Sequence, residues 1–128
     1  MAVIVDGTDG DADGFVPLIQ EDALGLDRIR AFTVRDWPII VVRSAIGVRA
    51  LLNRCSHAAA PLENGRIRRD TIICPLHGAQ FDLSTGACRS TGSGYLPVRT
   101  FPVRIGNGII AVQVPDGPPA VDDLPIRP

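Results

Sequence analysis

The sequence predicts an all-β fold, and three observations support that prediction. Short runs rich in β-branched residues recur from Phe15 onward, and turn residues separate them. Gly106-Asn107-Gly108, which lies between two such runs, is the strongest hairpin signal in the chain. No stretch shows the apolar spacing of a long helix. The 128 residues suffice for one domain with a buried core.

The first fourteen residues, rich in Asp and Gly, are expected to form a flexible acidic lead-in. Residues 9–14 (DGDADG) match the first half of an EF-hand calcium loop. The match then fails, because position twelve is Gln20 rather than Glu and Pro17 interrupts the segment. A plain acidic loop is therefore favoured over a calcium site.

The strands follow in order. Residues 15–19 are predicted to form an edge strand because Pro17 cannot donate to a sheet. Residues 21–27 form a helical turn or an irregular loop. The next strand candidates are residues 28–34, 39–43 and 48–54, with breaks at Asp36-Trp37-Pro38 and at residues 44–47.

The second half of the chain starts with a turn at residues 63–65. Residues 66–68 and 71–73 then form a small hairpin, and residues 81–83 lead into a turn at 84–86. Residues 89–97 are irregular, and residues 98–105 pair with 109–114 in the last hairpin. The Pro-rich tail, residues 115–128, is expected to lie extended on the surface or to be disordered.

Two short boxes hold four of the five Cys and His residues: Cys55-Ser56-His57 and Cys74-Pro75-Leu76-His77-Gly78. A set of two sulfurs and two nitrogens suits either one zinc ion or an iron–sulfur cluster. Zinc modules usually take their first two ligands from a Cys-x₂₋₄-Cys knuckle. Here each box carries one Cys and one His, which suits a binuclear centre, although zinc and a metal-free relic stay open. The remaining Cys88 is interpreted as a small apolar residue after a turn.

The spacing Cys-x-His-x₁₆-Cys-x₂-His, with Pro75 and Gly78 in the second box, resembles the Rieske [2Fe–2S] pattern. The resemblance covers residues 15–114, which would form a single Rieske domain. It implies a β-sandwich base with a small cluster-binding subdomain, about residues 54–97, at one end.

By the same resemblance each chain holds one [2Fe–2S] cluster. Cys55 and Cys74 would bind the inner iron, His57 and His77 would bind the outer iron, and residues 89–97 would form a third loop over the cluster.

Four positions depart from the pattern of respiratory Rieske proteins. Ala60 and Leu76 stand where those proteins carry two further cysteines, so no disulfide can clamp the boxes. Ala79 and Phe81 stand where those proteins place hydroxyl donors near the cluster. Without these donors the extra charge of the reduced cluster is less stabilised, so a low reduction potential is expected.

The branch that the chain resembles is the small ferredoxin of bacterial aromatic-ring-hydroxylating dioxygenase systems. Such a protein is an electron carrier and not itself an enzyme. Its partners would be an NAD(P)H-dependent flavin reductase and a terminal oxygenase, which would dock at the cluster tip near Pro61 and Leu62. The alternatives are a redox-sensing or regulatory Rieske module, or a protein like the nitrite-reductase small subunit.

Charge and hydropathy argue against two other classes, nucleic-acid-binding proteins and membrane-spanning proteins. All thirteen basic residues are Arg and the net charge is −1, without the dense basic patch that nucleic acid binding requires. The apolar runs are too short to span a bilayer. No secretory signal is visible at Met1, so a cytoplasmic location is expected.

Overall fold

The structure is a computed structural model that describes residues 2–5, 10–55, 61–75, 78–89 and 96–120. Two of the predicted ligands, His57 and His77, lie outside these ranges. So do residues 90–95 of the predicted third loop and the last eight residues of the tail.

The described part of the chain contains eleven strands and two single-turn 3₁₀ helices. The 3₁₀ helices are Glu21–Ala23 and Leu62–Asn64. The strands are β1 (Val3–Val5), β2 (Phe15–Gln20), β3 (Ile29–Val34), β4 (Trp37–Ser44), β5 (Gly47–Leu52), β6 (Arg66–Arg68), β7 (Thr71–Ile73), β8 (Gln80–Asp82), β9 (Thr100–Phe101), β10 (Val103–Gly106) and β11 (Ile109–Gln113).

The strands form three sheets. A five-stranded sheet has the order β1-β3-β4-β5-β9, and two three-stranded sheets have the orders β10-β11-β2 and β6-β7-β8. Every pair of neighbours is antiparallel except β1 and β3, which are parallel. The fold is all-β, as predicted, and the β6-β7-β8 sheet carries the second Cys/His box.

One continuous core joins the three sheets. Residues 39–42 of the central strand β4 are fully buried although their side chains point alternately to the two faces, so both faces of the sheet are covered at this strand. Ile110 and Val112 of the second sheet pack into the same core as Ile72 and Phe81 of the third. The small sheet is therefore fixed to the base by shared apolar burial, the main stabilising contribution in a domain of this size.

Several predicted elements are confirmed. Strand β2 lies at the edge of its sheet, as expected for a strand that contains Pro17. The β6–β7 hairpin has the predicted bounds. Between β10 and β11, Asn107 and Gly108 both have positive φ (54° and 76°), the geometry of the type I′ turn that an Asn-Gly pair favours.

Part of the expected lead-in is ordered, so that prediction was wrong for residues 3–5. These form β1, which pairs in parallel with β3, with Val3 opposite Phe32. Three consecutive β-branched residues complete the open edge of β3. Further along the lead-in, the Asp11 carboxylate accepts hydrogen bonds from the Asp13 and Phe15 backbone N–H groups and pairs with Arg104.

Residues 98–105 do not form one strand, contrary to the prediction. Pro102 divides them: β9 pairs with β5 in the five-stranded sheet, whereas β10 pairs with β11 in the other. The Pro102 carbonyl accepts the Gln113 N–H at 3.0 Å. The chain thus changes sheets at a residue that lacks a backbone donor.

Trp37 and Pro38 were predicted to lie in a turn but begin β4. The turn is shorter and rests on Arg35 and Asp36, both with positive φ. Trp37 is buried, packs edge-on against Phe101 with centroids 5.8 Å apart, and donates Nε1–H to the Gly117 carbonyl at 2.9 Å. That bond fixes the start of the tail on the base.

Within the described ranges, no helix is long and apolar enough to cross a membrane.

Candidate metal centre

The first box follows β5. Strand β5 ends at Leu52, and the next residues are held by backbone bonds: Leu52 N–H donates to the Arg99 carbonyl and Asn53 N–H to the Pro38 carbonyl, both at 2.8 Å. Cys55 follows two residues later and is fully buried. The backbone that leads to Cys55 is therefore held by hydrogen bonds to two other segments of the chain.

A reciprocal pair of hydrogen bonds brackets this box. The Asn53 side-chain amide donates to Glu63 Oε1 at 3.0 Å, and the Glu63 backbone N–H donates to Asn53 Oδ1 at 2.9 Å. Asn53 is one of the three buried polar residues among those described. The segment from Asn53 to Glu63, hereafter the first ligand loop, is thus closed at its base by side chains.

The second box is the connection of the β7–β8 hairpin. Ile73 pairs with Gln80, and the Cys74 N–H donates to the Ala79 carbonyl at 2.7 Å. Gly78 has φ +69°, a conformation that L side chains rarely adopt. Residues 74–79, hereafter the second ligand loop, are therefore closed at their base by a backbone hydrogen bond.

The two cysteine thiols occupy the same core. Cys55 and Cys74 are exposed by no more than 1%, and neither forms a disulfide. Two buried thiols at the ends of adjacent loops fit a site that takes two thiolates, because a metal compensates the charge that burial would otherwise disfavour. His57 and His77 lie outside the described residues, and the role of all four residues as ligands stays a prediction.

Ala79 and Phe81, the two positions without hydroxyl donors, are both buried. In the sequence they follow Cys74 by five and seven residues. Ala79 follows the Gly78 turn and is hydrogen-bonded to Cys74 through its carbonyl. Phe81 lies in the middle of β8 and forms an isolated bridge with Cys88. Cys88 is half-buried against the core, as expected for a small apolar residue.

Arg89 anchors the start of the third loop. Its guanidinium donates to both carboxylate oxygens of Asp70, at 3.0 and 3.2 Å, and to Asp82 Oδ2 at 2.7 Å. The Arg89 hydrogen bonds lower the pKa of Asp70. Burial raises the pKa of Asp82, but the Thr85 and Ser84 backbone N–H groups and the Arg89 charge outweigh it, so this pKa is also lowered.

The other end of the third loop is fixed at Gly86. The Val98 N–H donates to the Gly86 carbonyl at 2.8 Å, and Gly86 has φ +78°. A Cβ at Gly86 would lie only 1.8 Å from the Val98 carbonyl oxygen. Glycine is therefore the residue that lets the two segments approach.

Sequence reasoning missed Asn53, Glu63, Arg89 and Gly86 as residues that support the site. An Asn two residues before a predicted ligand is a visible signal, but nothing in the sequence pairs it with a Glu ten positions later. One expectation was also wrong: Leu62, predicted at a docking surface, is fully buried, whereas Pro61 is exposed.

Residues 14–102 match the family of the Rieske [2Fe-2S] domain. This chain belongs to that family. The match includes both Cys/His boxes and the complete β6-β7-β8 sheet, and it confirms the fold and the cofactor that the resemblance implied. The Rieske protein therefore carries a [2Fe–2S] cluster rather than a zinc ion.

Its relatives narrow the type of Rieske protein. It is 34% identical over 98 residues to the anthranilate 1,2-dioxygenase ferredoxin subunit of Burkholderia cepacia, covering 77% of this chain and 90% of that one. It also resembles the ferredoxin of carbazole 1,9a-dioxygenase from Nocardioides aromaticivorans IC177, with 34% identity and a TM-score of 0.71, covering 82% of this chain and 98% of that one.

A third similar structure is a complex of reduced oxygenase and oxidized ferredoxin in carbazole 1,9a-dioxygenase. Its matched chain has 26% identity and a TM-score of 0.72, with 79% of this chain and 94% of that chain covered. These relatives are electron carriers. The Rieske protein is likewise a ferredoxin, a one-electron carrier that serves an oxidoreductase system.

Proposed function

We propose that this ferredoxin takes single electrons from an NAD(P)H-dependent flavin reductase and passes them to a terminal ring-hydroxylating oxygenase. Support comes from the ferredoxin subunits of aromatic dioxygenases that it resembles along most of their length. The complex of a similar ferredoxin with its oxygenase supports a direct encounter with the electron acceptor. We place the protein in the cytoplasm, where NAD(P)H is available to the reductase.

The observation that carries this proposal is the pair of buried thiols at the ends of two loops. Cys55 and Cys74 would hold the inner iron, and His57 and His77 would hold the outer iron. The bound cluster supplies reversible one-electron chemistry. The chain contributes a fixed, water-poor mount, because both cysteines lie in the apolar core and both loops are closed at the base.

The partners would dock over the cluster tip. Five residues at the described edges of the three loops are exposed and uncharged: Pro61, Pro75, Gly78, Leu96 and Pro97. Such a surface suits the brief apolar contact of an electron-transfer complex, which typically has a small interface. Residues 15–114 would form the whole electron-carrying unit, with the tail from 115 outside it.

Metal analysis tests the cofactor and its ligands. The purified protein should contain two irons and two acid-labile sulfides per chain, as a [2Fe–2S] cluster requires. After dithionite reduction it should show an electron paramagnetic resonance signal with an average g below the free-electron value. Cys55→Ala and Cys74→Ala should lose the cluster, whereas the matched control Cys88→Ala should keep it.

Coupled turnover tests the role. The wild-type protein should be reduced by a flavin reductase and NAD(P)H and should then support product formation by a terminal oxygenase, with partners taken from neighbouring genes. A colourless protein with one zinc per chain would contradict the cofactor. An intact cluster that no reductase and oxygenase pair can turn over would contradict the proposed role.

A further inference from the structure

Three exposed arginines form a strip along one edge of the cluster-binding sheet. Strand β6 is the edge strand of the β6-β7-β8 sheet, and its side chains alternate: Arg66 and Arg68 are exposed, whereas Ile67 packs against the core. Arg69 continues the strip in the following turn and is also exposed. Among the residues that the structure describes, no carboxylate pairs with any of these three arginines.

The carboxylates nearest in sequence are already engaged. Arg89 binds Asp70 and Asp82, and the Glu63 side chain accepts a hydrogen bond from Asn53. The strip therefore keeps its positive charge.

The charge is also distributed unevenly along the sequence. Residues 54–97 carry five Arg against three acidic residues, whereas the rest of the chain carries eight Arg against eleven. The cluster-binding part is positive on a chain whose net charge is −1.

The strip starts next to the metal site. Arg66 pairs with Ile73, the residue before Cys74, and Arg68 pairs with Thr71 two residues further away. With about 3.4 Å per strand residue, Arg66 lies nearest to the site and Arg69 farthest. A partner that docks at the tip and also contacts β6 would therefore meet three positive charges at increasing distances from the metal site.

We propose that this arginine strip (Arg66, Arg68 and Arg69) is the docking surface for an acidic patch on the flavin reductase, an inference that rests on the proposed function. The reductase is proposed rather than the oxygenase because the charge of the cluster site changes when the cluster is reduced. With two thiolates and neutral imidazoles the oxidised cluster site is neutral, and one electron from the reduced flavin makes it −1. An acidic partner therefore binds the oxidised protein more tightly than the reduced one, so an acidic reductase would release the ferredoxin once the electron has been transferred.

Charged small oxidants test the field of the strip without any partner. The dithionite-reduced protein would give one electron either to ferricyanide, an anion, or to tris(phenanthroline)cobalt(III), a cation. Arg66→Glu should lower the ratio of the anion rate to the cation rate by about tenfold at an ionic strength near 10 mM, and the effect should nearly vanish at about 0.5 M. A change in cluster potential alters both rates in the same direction, so their ratio isolates the local charge.

The chain offers a matched control. Arg28 is also exposed and precedes β3 at the end of the sheet opposite the first ligand loop, so Arg28→Glu makes the same charge change far from the site. Its rate ratio should change much less than that of Arg66→Glu, since its charge lies about five strand residues, roughly 17 Å, from the end of the sheet where the first ligand loop begins. The ratio should fall most in Arg66→Glu, less in Arg68→Glu and least in Arg28→Glu. Equal ratios in all three variants would overturn the placement of the strip beside the electron exit.

Stopped-flow reduction by the reductase that serves the wild type tests the partner. Arg66→Glu and Arg68→Glu should slow this step about tenfold at low salt and flatten its salt dependence. Their rate of electron delivery to the oxygenase should fall much less. Slowing confined to the oxygenase step, or none at either step, would overturn the reductase assignment. If no reductase serves even the wild type, the proposed function fails, while the small-oxidant ratio still tests the strip.

Discussion

The first ligand loop runs from Asn53 to Glu63 and links two different sheets, whereas the second ligand loop, residues 74–79, joins adjacent strands of one hairpin. The first is closed by a buried amide that exchanges two hydrogen bonds with Glu63. The second is closed by one backbone bond from Cys74 to Ala79 and a glycine with positive φ. A long loop between sheets needs a side chain to span its base, while a hairpin inherits its closure from strand pairing.

This difference predicts unequal sensitivity to substitution. The first loop depends on particular side chains and on space between the loops, and the second depends mainly on backbone conformation. If each loop supplies a cysteine ligand, as proposed, damage to either loop should appear both in the stability of the fold and in the retention of iron.

The largest effect is expected just after the first ligand loop, where Gly65 approaches the last residue of β7. A Cβ at Gly65 would lie 2.3 Å from the Ile73 carbonyl oxygen and 3.1 Å from that of Leu62. Gly65→Ala should therefore push the end of the first loop away from β7 and cost about 3 kcal/mol or more of unfolding free energy. Chemical denaturation followed by circular dichroism measures it. A protein as stable as the wild type would show that β6 and β7 adjust to the added methyl group without cost.

Asn53→Ala removes the side-chain hydrogen bonds that close the first ligand loop. It removes two hydrogen bonds and leaves the Glu63 N–H without its partner, a loss of about 2–3 kcal/mol. We also expect the variant to lose iron to a chelator faster than the wild type, because Cys55 lies two residues from the substituted position. Unchanged stability together with unchanged iron release would contradict a role for Asn53 in holding the loop.

Gly78→Ala is the corresponding test in the second loop. Among the described residues, nothing lies within 4 Å of the added Cβ, so the cost is expected to come from φ +69°. A left-handed conformation costs a non-glycine residue about 1–2 kcal/mol. Unfolding of this variant and of Asn53→Ala under the same conditions should place Gly78→Ala as the milder of the two. The reverse order would refute the comparison of the loops.

Ala79→Ser sharpens the comparison by testing whether the second ligand loop sets the reduction potential of the cluster. A new hydroxyl should donate to a cluster sulfur, whose negative charge grows on reduction. A hydrogen bond to a charged acceptor is worth about 1.5–3 kcal/mol, of which only the difference between redox states moves the potential. With a difference of about 0.5–1.5 kcal/mol the potential should rise by about 20–65 mV. Voltammetry measures this shift; a lower or unchanged potential with the cluster intact would show that the side chain does not face it.

The smallest effect concerns the support of the third loop at Arg89. The lowered pKa values of Asp70 and Asp82 mean that their contribution to stability is complete above the ordinary aspartate pKa, about 4, and is lost as the pH falls through the lower folded values. The contribution is small because Arg89 and Asp70 are largely exposed.

Arg89→Gln should therefore lower the melting temperature slightly at pH 7, and the difference from the wild type should shrink below about pH 4. Acid effects on the cluster that both proteins share cancel in the difference between their melting temperatures. Visible absorbance would show whether the cluster is retained. Arg69→Gln, at an arginine without a described ion pair, is the control. A difference that grows in acid would contradict the ion-pair network.

Much of the site followed from the sequence, because ligand chemistry depends on residue type and local spacing. Two boxes with one Cys and one His each indicated the cluster, and the family match agrees. The β6–β7 hairpin and the Asn107-Gly108 turn were predictable for a similar reason: their conformations depend on residues a few positions apart. The roles of Cys55, His57, Cys74 and His77 as ligands stay predictions.

Only the tertiary structure decided the features that join distant segments. Asn53 meets Glu63 across a loop, β1 is ordered by the open edge of β3, and the chain changes sheets at Pro102 because β9 and β10 find different neighbours. Strand pairing and buried hydrogen bonds satisfy donors and acceptors wherever the packed chain brings them together. Local residue preferences do not encode those meetings, since they depend on the packing of the whole core.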